Sequence, residues 1–260
     1  MPDFPLSHGR PLALPAGVPA GVEVHCLDID LSAAAAGLLP AAAPADPRLL
    51  ASPDWALLNE AEHARLLRLR QPADRLRFLV ARAALRRLLG ERLGCDPRAI
   101  GFVTGAHGKP ALHPATLSGA GAVALPPSGA SGGLHFNVSH SGARALVALS
   151  TAGEVGVDVE RIAPRASLGR LAAHAFHPDE RAACGEGADV AAFFAIWAGK
   201  EAVVKADGRG LSAGLTAHCA LPRADGGYDL RWPGAPRRFR AWRLEAGAGH
   251  AAALALADEA

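Results

Sequence analysis

One short segment, V-G-V-D-V-E at residues 155–160, constrains the fold more than any other part of the chain. Its valines alternate with Gly156, Asp158 and Glu160, and successive side chains of a β-strand point to opposite faces. The segment therefore predicts a strand with its valines on one face and both carboxylates on the other. The carboxylates are then about 6.6 Å apart on a rigid element. Oxygen ligands at that spacing suit a hard cation such as Mg²⁺, which commonly accompanies phosphate chemistry.

Size and charge exclude several classes of protein. A chain of 260 residues buries a full core, as one large domain or two small ones. The formal net charge of +2 is too small to indicate non-specific nucleic-acid binding. The four cysteines form no C-x-x-C pair, which argues against a structural zinc site. The N-terminus lacks the regions of a signal peptide and no apolar run reaches membrane-spanning length, so we expect a cytoplasmic protein.

The remaining pattern mixes strands and helices. We expect strands at 22–30, 100–104, 134–142 and 145–150, and helices after Ser52-Pro53 and at 73–93, 167–175, 178–184 and 189–206. The tail from 216 to 256 alternates into further strands, and 114–133 is predicted to be a loop. The strand at 145–150 and the V-G-V-D-V-E strand are predicted to form a hairpin, whose turn near 151–153 is the candidate boundary between two halves.

The predicted helix at 189–206 carries a third candidate acid and a lysine. Glu201 and Lys205 lie one turn apart, beside an apolar stripe that includes Trp197. Such a pair is most often an ordinary helix ion pair. Its position at the edge of the core, however, favours a role in a site.

The strand and this helix together suggest a phosphate site. Glu201 would join Asp158 and Glu160 around one metal, and Lys200 and Lys205 would meet an anionic ligand. A solvated strand face remains the alternative for the two strand acids. The residues alone do not separate a phosphotransferase from a metal-dependent nuclease.

Three arginines on the helix at 73–93 form a candidate basic patch. At 100° per residue, Arg75, Arg82 and Arg86 fall within about 40° of one another, beside the apolar stripe. The alternative is a solvated charged flank, because arginine is a good surface helix former.

Two turns carry further candidates. His140 lies between two serines, where it is an anion ligand, a general base or an ordinary turn residue. A serine-hydrolase triad at His140 is not favoured, because neither neighbouring serine lies in a G-x-S-x-G motif. Lys109-Pro110 would be an unremarkable turn when taken alone.

Four motifs in order resemble those of phosphopantetheinyl transferases of the surfactin-synthetase-activating type. They are G-K-P (108–110), F-N-V-S-H-S-G (136–142), V-G-V-D-V-E (155–160) and F-F-A-I-W-A-G-K-E-A-V-V-K (193–205), followed by G-R-G-L-S (208–212). The resemblance covers at least residues 53–215. Gly199 departs from it, since bulkier residues are more usual there, and a helical glycine costs about 1 kcal/mol relative to alanine.

The resemblance implies an α+β fold of two similar lobes related by pseudo-two-fold symmetry, with the ligand site between them. The lobes would be residues 1–152 and 153–260. Coenzyme A would bind between them with Mg²⁺ on its pyrophosphate, and the protein would be a monomer.

The resemblance also implies roles for individual residues. Asp158, Glu160 and Glu201 would hold the metal, and Glu201 and Lys205 would be catalytic. The expected contacts with coenzyme A are Lys109 and Pro110 on the adenine side, Ser139 and His140 at a phosphate, and Arg75, Arg82, Arg86 and Lys200.

The implied reaction moves 4′-phosphopantetheine from coenzyme A to a serine of an apo acyl or peptidyl carrier protein and releases 3′,5′-ADP. Apo acyl or peptidyl carrier proteins are the expected partners, with no nucleic acid and no membrane. Secondary-metabolite synthesis is the expected setting, and the sequence leaves the pathway open among fatty-acid, polyketide, nonribosomal-peptide and siderophore synthesis. A metal-dependent nuclease is the rival enzyme, but it leaves G-K-P and F-N-V-S-H-S unexplained. A non-catalytic module that binds coenzyme A or a carrier is the rival from another class.

Overall fold

A computed structural model of the chain describes most of its residues. The described residues are 7–32, 50, 52–105, 107–117, 133–210, 215–235 and 237–258. The last two residues of the G-R-G-L-S motif, and most of the predicted loop at 114–133, lie outside them.

The strands form two sheets and two short ribbons. In chain order the strands are β1 (Ser7–Pro11), β2 (Val22–Ile29), β3 (Phe102–Thr104), β4 (Pro110–Leu112), β5 (His135–Ser141), β6 (Arg144–Ser150), β7 (Val155–Arg161), β8 (Cys219–Pro222), β9 (Tyr228–Arg231), β10 (Phe239–Leu244) and β11 (His250–Ala257). One antiparallel sheet has the order β1-β2-β6-β5 and the other the order β10-β11-β7. The ribbons pair β3 with β4 and β8 with β9.

The helices begin and end where the sequence supplies capping residues. They are α1 (Glu60–Arg68), α2 (Pro72–Leu93), α3 (Pro114–Leu117), α4 (Leu168–Ala175), α5 (Pro178–Ala183) and α6 (Val190–Asp207). Proline occupies the first position of α2, and Gly94 ends this helix in the left-handed conformation at φ 64°. α6 is capped by the Asp189 side chain, which accepts from the Ala192 N–H, and it ends at the left-handed Gly208.

Three of the predicted elements differ from the structure. The loop expected at 114–133 begins with the short helix α3. The helix expected to start at Ser52-Pro53 begins instead at Glu60, because Asn59 and Glu62 form a reciprocal capping box. The Ser52 hydroxyl caps only a short 3₁₀ turn. The predicted hairpin between β6 and β7 is wrong, since β6 pairs with β2 and β5 while β7 pairs with β11 in the other sheet.

The two sheets pack face to face, each with one long helix on its outer side. Buried leucines of α2 cover one face of the four-stranded sheet. The opposite face of that sheet meets the valines of β7 and apolar residues of β10 and β11. Alanines of α6 then cover the outer face of the three-stranded sheet. This arrangement is mixed α and β; its description as two lobes related by a pseudo-two-fold axis, divided at residue 152, stays a prediction.

Contact between α6 and β7 depends on Gly156. A Cβ atom at that position would lie 2.1 Å from the Ala202 carbonyl oxygen and 2.4 Å from the Ala206 nitrogen. Glycine therefore allows the helix backbone to lie directly against the strand. Within the described part of the chain, no helix is both long and apolar enough to cross a membrane.

Candidate active site

The face of β7 that α6 covers carries the two predicted carboxylates. Val155, Val157 and Val159 are buried between the sheets, which confirms the predicted alternation. Asp158 is buried beneath the helix, whereas Glu160 is only half-buried, nearer the end of the strand.

β5 and β7 are joined by side chains and not by a main-chain ladder. The N–H groups of Val157, Val159 and Arg161 donate to Asn137 Oδ1 (3.0 Å), Ser139 Oγ (3.3 Å) and Ser141 Oγ (3.1 Å), respectively. We call this row of three contacts the side-chain seam. The seam places Asn137, Ser139 and Ser141 of the F-N-V-S-H-S motif against β7, the strand that carries Asp158 and Glu160.

The seam serines also contact the acids themselves. Ser139 Oγ donates to Asp158 Oδ1 at 2.8 Å, and Ser141 Oγ donates to Glu160 Oε2 at 2.9 Å. Lys205 Nζ, from α6, donates to Asp158 Oδ1 at 2.6 Å, to Ser139 Oγ at 3.0 Å and to the Val157 carbonyl at 3.2 Å. The predicted residues Ser139, Asp158 and Lys205 therefore form one connected group.

Glu201 lies close enough to Asp158 and Glu160 for their negative charges to change its pKa. Burial raises its pKa, and the negative charge of Asp158 raises it further, against the opposing effect of Lys205. Burial and Asp158 likewise raise the pKa of Glu160. Three carboxylates that repel one another favour a bound cation, because a cation relieves that repulsion.

The donors fit a hard divalent cation, although they do not enclose one. Among the described residues, no three His, Cys, Asp or Glu side chains form a compact ligand group. Asp158 Oδ2 is nevertheless buried and has no hydrogen-bond partner in the described part of the chain. This carboxylate oxygen is therefore available to bind a cation. All three acids offer the oxygen donors that Mg²⁺ prefers.

Lys109 and Pro110 line a cavity of about 310 Å³ beside β5 and the C-terminal end of α6, together with Phe136, Glu154 and Gly208. Lys109 Nζ donates to Glu154 Oε2 at 2.6 Å and to the Val155 carbonyl at 3.1 Å. Burial lowers the pKa of Lys109, and Glu154 partly offsets that effect. The lysine ties the G-K-P turn to the start of β7.

His140 lines a second, wider cavity of about 590 Å³ with Arg77, Arg161, Arg165 and His250. Surrounding protein lowers the pKa of His140, and the positive charge of Arg77 lowers it further. Lys109 and His140 therefore lie at separate cavities.

The prediction of a basic patch on α2 is wrong for Arg75 and Arg86, which are both buried. Arg75 is buried and donates to the Leu67 and Leu69 carbonyls. Arg86 is 1% exposed and donates to Glu62 and to the Pro97 and Ile100 carbonyls. Burial of Arg86 is possible because these hydrogen bonds and the negative charge of Glu62, 2.9 Å from Arg86 Nη2, offset the loss of hydration.

Arg82, the third arginine of that patch, is also engaged within the N-terminal half. Its Nε lies 3.5 Å from Glu62 Oε1, and its guanidinium stacks over the Phe102 ring at 4.5 Å from the ring centre. Arg75 and Arg86 thus organise the packing of α2 and the proposed site excludes these two, whereas contact between Arg82 and coenzyme A stays a prediction.

Lys200 differs from its prediction as well. It is buried on the side of α6 where Nζ donates to Glu180 Oε2 at 2.6 Å and to the Leu215 carbonyl at 3.0 Å. A lysine enclosed in this way stabilises the packing of α5 and α6 and does not meet an anionic ligand.

Gly199 is explained by close packing. A Cβ atom there would lie 2.2 Å from Tyr228 Cε1, and the Tyr228 hydroxyl donates to the Ala195 carbonyl. The glycine admits this ring and is not a weakness of the helix.

Four residues that hold the elements around the site were not assigned a role from the sequence. Asn137 and Ser141 belong to the seam, and Glu154 accepts from Lys109 and lies 3.2 Å from His135 Nδ1. The seam has a signal in the sequence, because Asn137, Ser139 and Ser141 repeat at the two-residue period of one strand face.

Comparison with known proteins finds similarity to phosphopantetheinyl transferases. Residues 154–257 match the model of the 4′-phosphopantetheinyl transferase superfamily. A putative 4′-phosphopantetheinyl transferase of Synechocystis is 38% identical over 163 residues, covering 62% of this chain and 61% of that protein. The 4′-phosphopantetheinyl transferase HetI of Nostoc is 34% identical, covering 60% and 62%. The 4′-phosphopantetheinyl transferase psf-1 of Bacillus pumilus is 34% identical, covering 63% and 66%. The chain spans less than two thirds of the length of each of these relatives.

Proposed function

We propose that this protein transfers the 4′-phosphopantetheine group of coenzyme A to a serine of an apo carrier protein. The observation that carries the proposal is the meeting of Asp158, Glu160, Glu201 and Lys205 between β7 and α6. All four lie within the segment that matches the superfamily model. The names of the relatives support the same reaction.

In this proposal Asp158, Glu160 and Glu201 hold Mg²⁺. The bound ion would neutralise the pyrophosphate of coenzyme A and orient it for displacement. The buried, unpartnered Oδ2 of Asp158 and the mutual repulsion of the three acids support this assignment.

Glu201 is the proposed general base. Its carboxylate lies on α6 beside the two strand acids, and it would act directly or through a water molecule. It would take the proton of the carrier serine as the serine oxygen bonds to the phosphorus of the phosphopantetheine. The bond from that phosphorus to the bridging oxygen then breaks, and 3′,5′-ADP leaves with the electron pair.

Lys205 would hold the leaving phosphate. Its ammonium is half-buried and already aimed at the acids through Asp158 Oδ1. Lys109 and Pro110 would line the adenine side, in the cavity they share with Phe136. His140 would contact a phosphate of coenzyme A, and Ser139 would do so by turning the hydroxyl proton that it donates to Asp158 toward that phosphate.

We further propose the surfactin-synthetase-activating type, which acts as a cytoplasmic monomer on carrier proteins of secondary metabolism. The order of the motifs supports the type. Size-exclusion chromatography with light scattering tests the monomer, and a panel of carriers from fatty-acid, polyketide and peptide synthesis tests the partner class.

The transfer reaction is tested by intact-mass spectrometry. The protein is incubated with coenzyme A, Mg²⁺ and each apo carrier, and the carrier should gain one phosphopantetheine. Omission of Mg²⁺ with added chelator should prevent the gain. No gain on any carrier would overturn the proposal, and cleavage of DNA in a parallel incubation would favour a nuclease instead.

A further inference from the structure

The side-chain seam between β5 and β7 treats its two serines differently. Ser139 Oγ donates to Asp158 and accepts from both Val159 N–H and Lys205 Nζ. A hydroxyl has one donor and two acceptor lone pairs, so every capacity of Ser139 is used.

Ser141 has a simpler set of contacts. Its Oγ donates to Glu160 Oε2 at 2.9 Å and accepts from the Arg161 N–H at 3.1 Å. The main-chain bond fixes the oxygen relative to β7, and the hydroxyl proton is then directed at one carboxylate oxygen. Ser141 therefore orients Glu160 with a group that the strand itself holds in place.

The orientation matters because Glu160 has few other restraints. It is only half-buried, and its side chain lies near the end of β7. Asp158, by contrast, is buried and bonded to both Ser139 and Lys205. A carboxylate offers about four lone-pair sites, so one hydrogen bond on Oε2 leaves Glu160 able to bind a cation.

We propose that Ser141 is a positioning residue that holds the Glu160 carboxylate in the orientation required for the divalent cation. This inference rests on the proposed function, because it refines the same metal site. Ser141 acts through Glu160 and has no contact with the reacting atoms.

The seam provides a matched control at its other end. Asn137 Oδ1 accepts from the Val157 N–H at 3.0 Å, as Ser141 Oγ accepts from the Arg161 N–H, but no hydrogen bond joins Asn137 to any of the three acids in the described part of the chain. Asn137→Ala removes one bond of the seam, whereas Ser141→Ala removes one such bond and the bond to Glu160.

The experiment measures binding of Mn²⁺, a paramagnetic substitute for Mg²⁺, to the full chain in the presence of coenzyme A. Free Mn²⁺ is followed by its electron paramagnetic resonance signal, with coenzyme A alone as the blank and no carrier present. Ser141→Ala should weaken Mn²⁺ binding on the order of ten-fold, the usual effect of removing a partner of a metal ligand. Ser141→Thr should restore the affinity, because it keeps the hydroxyl on a strand position that favours β-branched residues.

Asn137→Ala should bind Mn²⁺ as the wild type does, with its melting temperature measured alongside those of the serine variants. Unchanged affinity in Ser141→Ala, equal weakening in Asn137→Ala, or failure of Ser141→Thr to recover would each overturn the inference. Absence of Mn²⁺ binding by the wild type would also overturn it. Mn²⁺ binding with the expected pattern of variants, but without transfer to any carrier, would instead overturn the proposed function and support the positioning role.

Discussion

The two edges of β7 are held by different means. On one edge β11 pairs with the strand through seven residue pairs, from His250 opposite Arg161 to Leu256 opposite Val155. On the other edge β5 reaches the strand through Asn137 and the two seam serines.

The two edges of β7 differ in the residue types that they require. A main-chain ladder forms between any residues that fit a sheet, and the partners of Asp158 and Glu160 on β11 are both alanines. The seam forms only where β5 places oxygen-bearing side chains at every second position. In return, the seam delivers hydroxyl donors to the carboxylates, which a ladder cannot do. One edge thus stabilises the strand and the other also organises its chemistry.

The largest expected effect follows from changing Asp158, the acid that contacts the middle serine of the seam, Ser139. Asp158→Asn keeps the size of the side chain and an oxygen that accepts from Ser139, but it removes the charge that meets Lys205. We expect the rate of carrier modification to fall at least about 100-fold, as for other groups that stabilise transition-state charge.

The initial rate of carrier mass gain measures that effect, with circular dichroism to establish that the variant is folded. A folded Asp158→Asn protein with the wild-type rate would remove Asp158 from the site.

The next largest effect is on the stability of the fold, and it concerns Gly156 on the face of β7 that α6 covers. Gly156→Ala drives a methyl group into the α6 backbone, which cannot move aside as a side chain can. We expect a loss of about 3 kcal/mol in the free energy of unfolding. Gly9→Ala is the control, since its methyl meets only the flexible end of Leu27, and it should cost less than about 1 kcal/mol. Equal losses in urea unfolding would contradict the close packing of α6 on the strand.

A smaller loss should follow when the seam is shortened by one contact. Asn137→Ala leaves the buried N–H of Val157 without its acceptor, at a cost of about 2 kcal/mol. Native-state hydrogen exchange should also show faster exchange of the Val157 amide than in the wild type. Unchanged protection of that amide would mean that the seam contributes little to holding β7.

The smallest expected effect concerns the ion pair between Lys109 and Glu154, beside the start of β7. Burial alone would raise the pKa of Glu154, but the hydrogen bond from His135 and the charge of Lys109 outweigh it and lower the pKa from 4.5 to about 2. A carboxylate with a lowered pKa in the folded state stabilises the fold above its unfolded pKa. That contribution is lost as the pH falls from about 4.5 to about 2.

Thermal melts of the wild type and of Glu154→Gln across that pH range measure the contribution. The difference in melting temperature between the two proteins should shrink as the pH falls. A constant difference would show that Glu154 does not titrate with the fold.

Parts of the site were predictable because they depend on local periodicity. Alternation identified β7 and the shared face of Asp158 and Glu160, and helical spacing put Glu201 and Lys205 one turn apart. The helices predicted at 73–93 and 189–206 agree with α2 and α6 to within one residue at each end, and Gly94 was predicted as the end of α2.

Predictions failed where the answer depended on contacts between distant elements. Helical geometry grouped Arg75, Arg82 and Arg86, but it did not indicate that Glu62 and free carbonyl groups would enclose the last two. The same holds for Lys200, whose partner Glu180 lies on another helix. A charged side chain is buried when a partner from elsewhere offsets its loss of hydration, and sequence spacing contains no record of that partner.

The sequence by itself determined which residues share a strand face or a helix face, since side-chain direction repeats every 2 or 3.6 residues. Only the tertiary structure decided that β7 pairs with β11 and not with β6, that α6 lies against Gly156, and that the seam serines contact the acids. Those outcomes depend on distances between segments many residues apart, which are fixed by the packing of the two sheets and their helices. Periodicity supplied the functional groups, and packing brought them together.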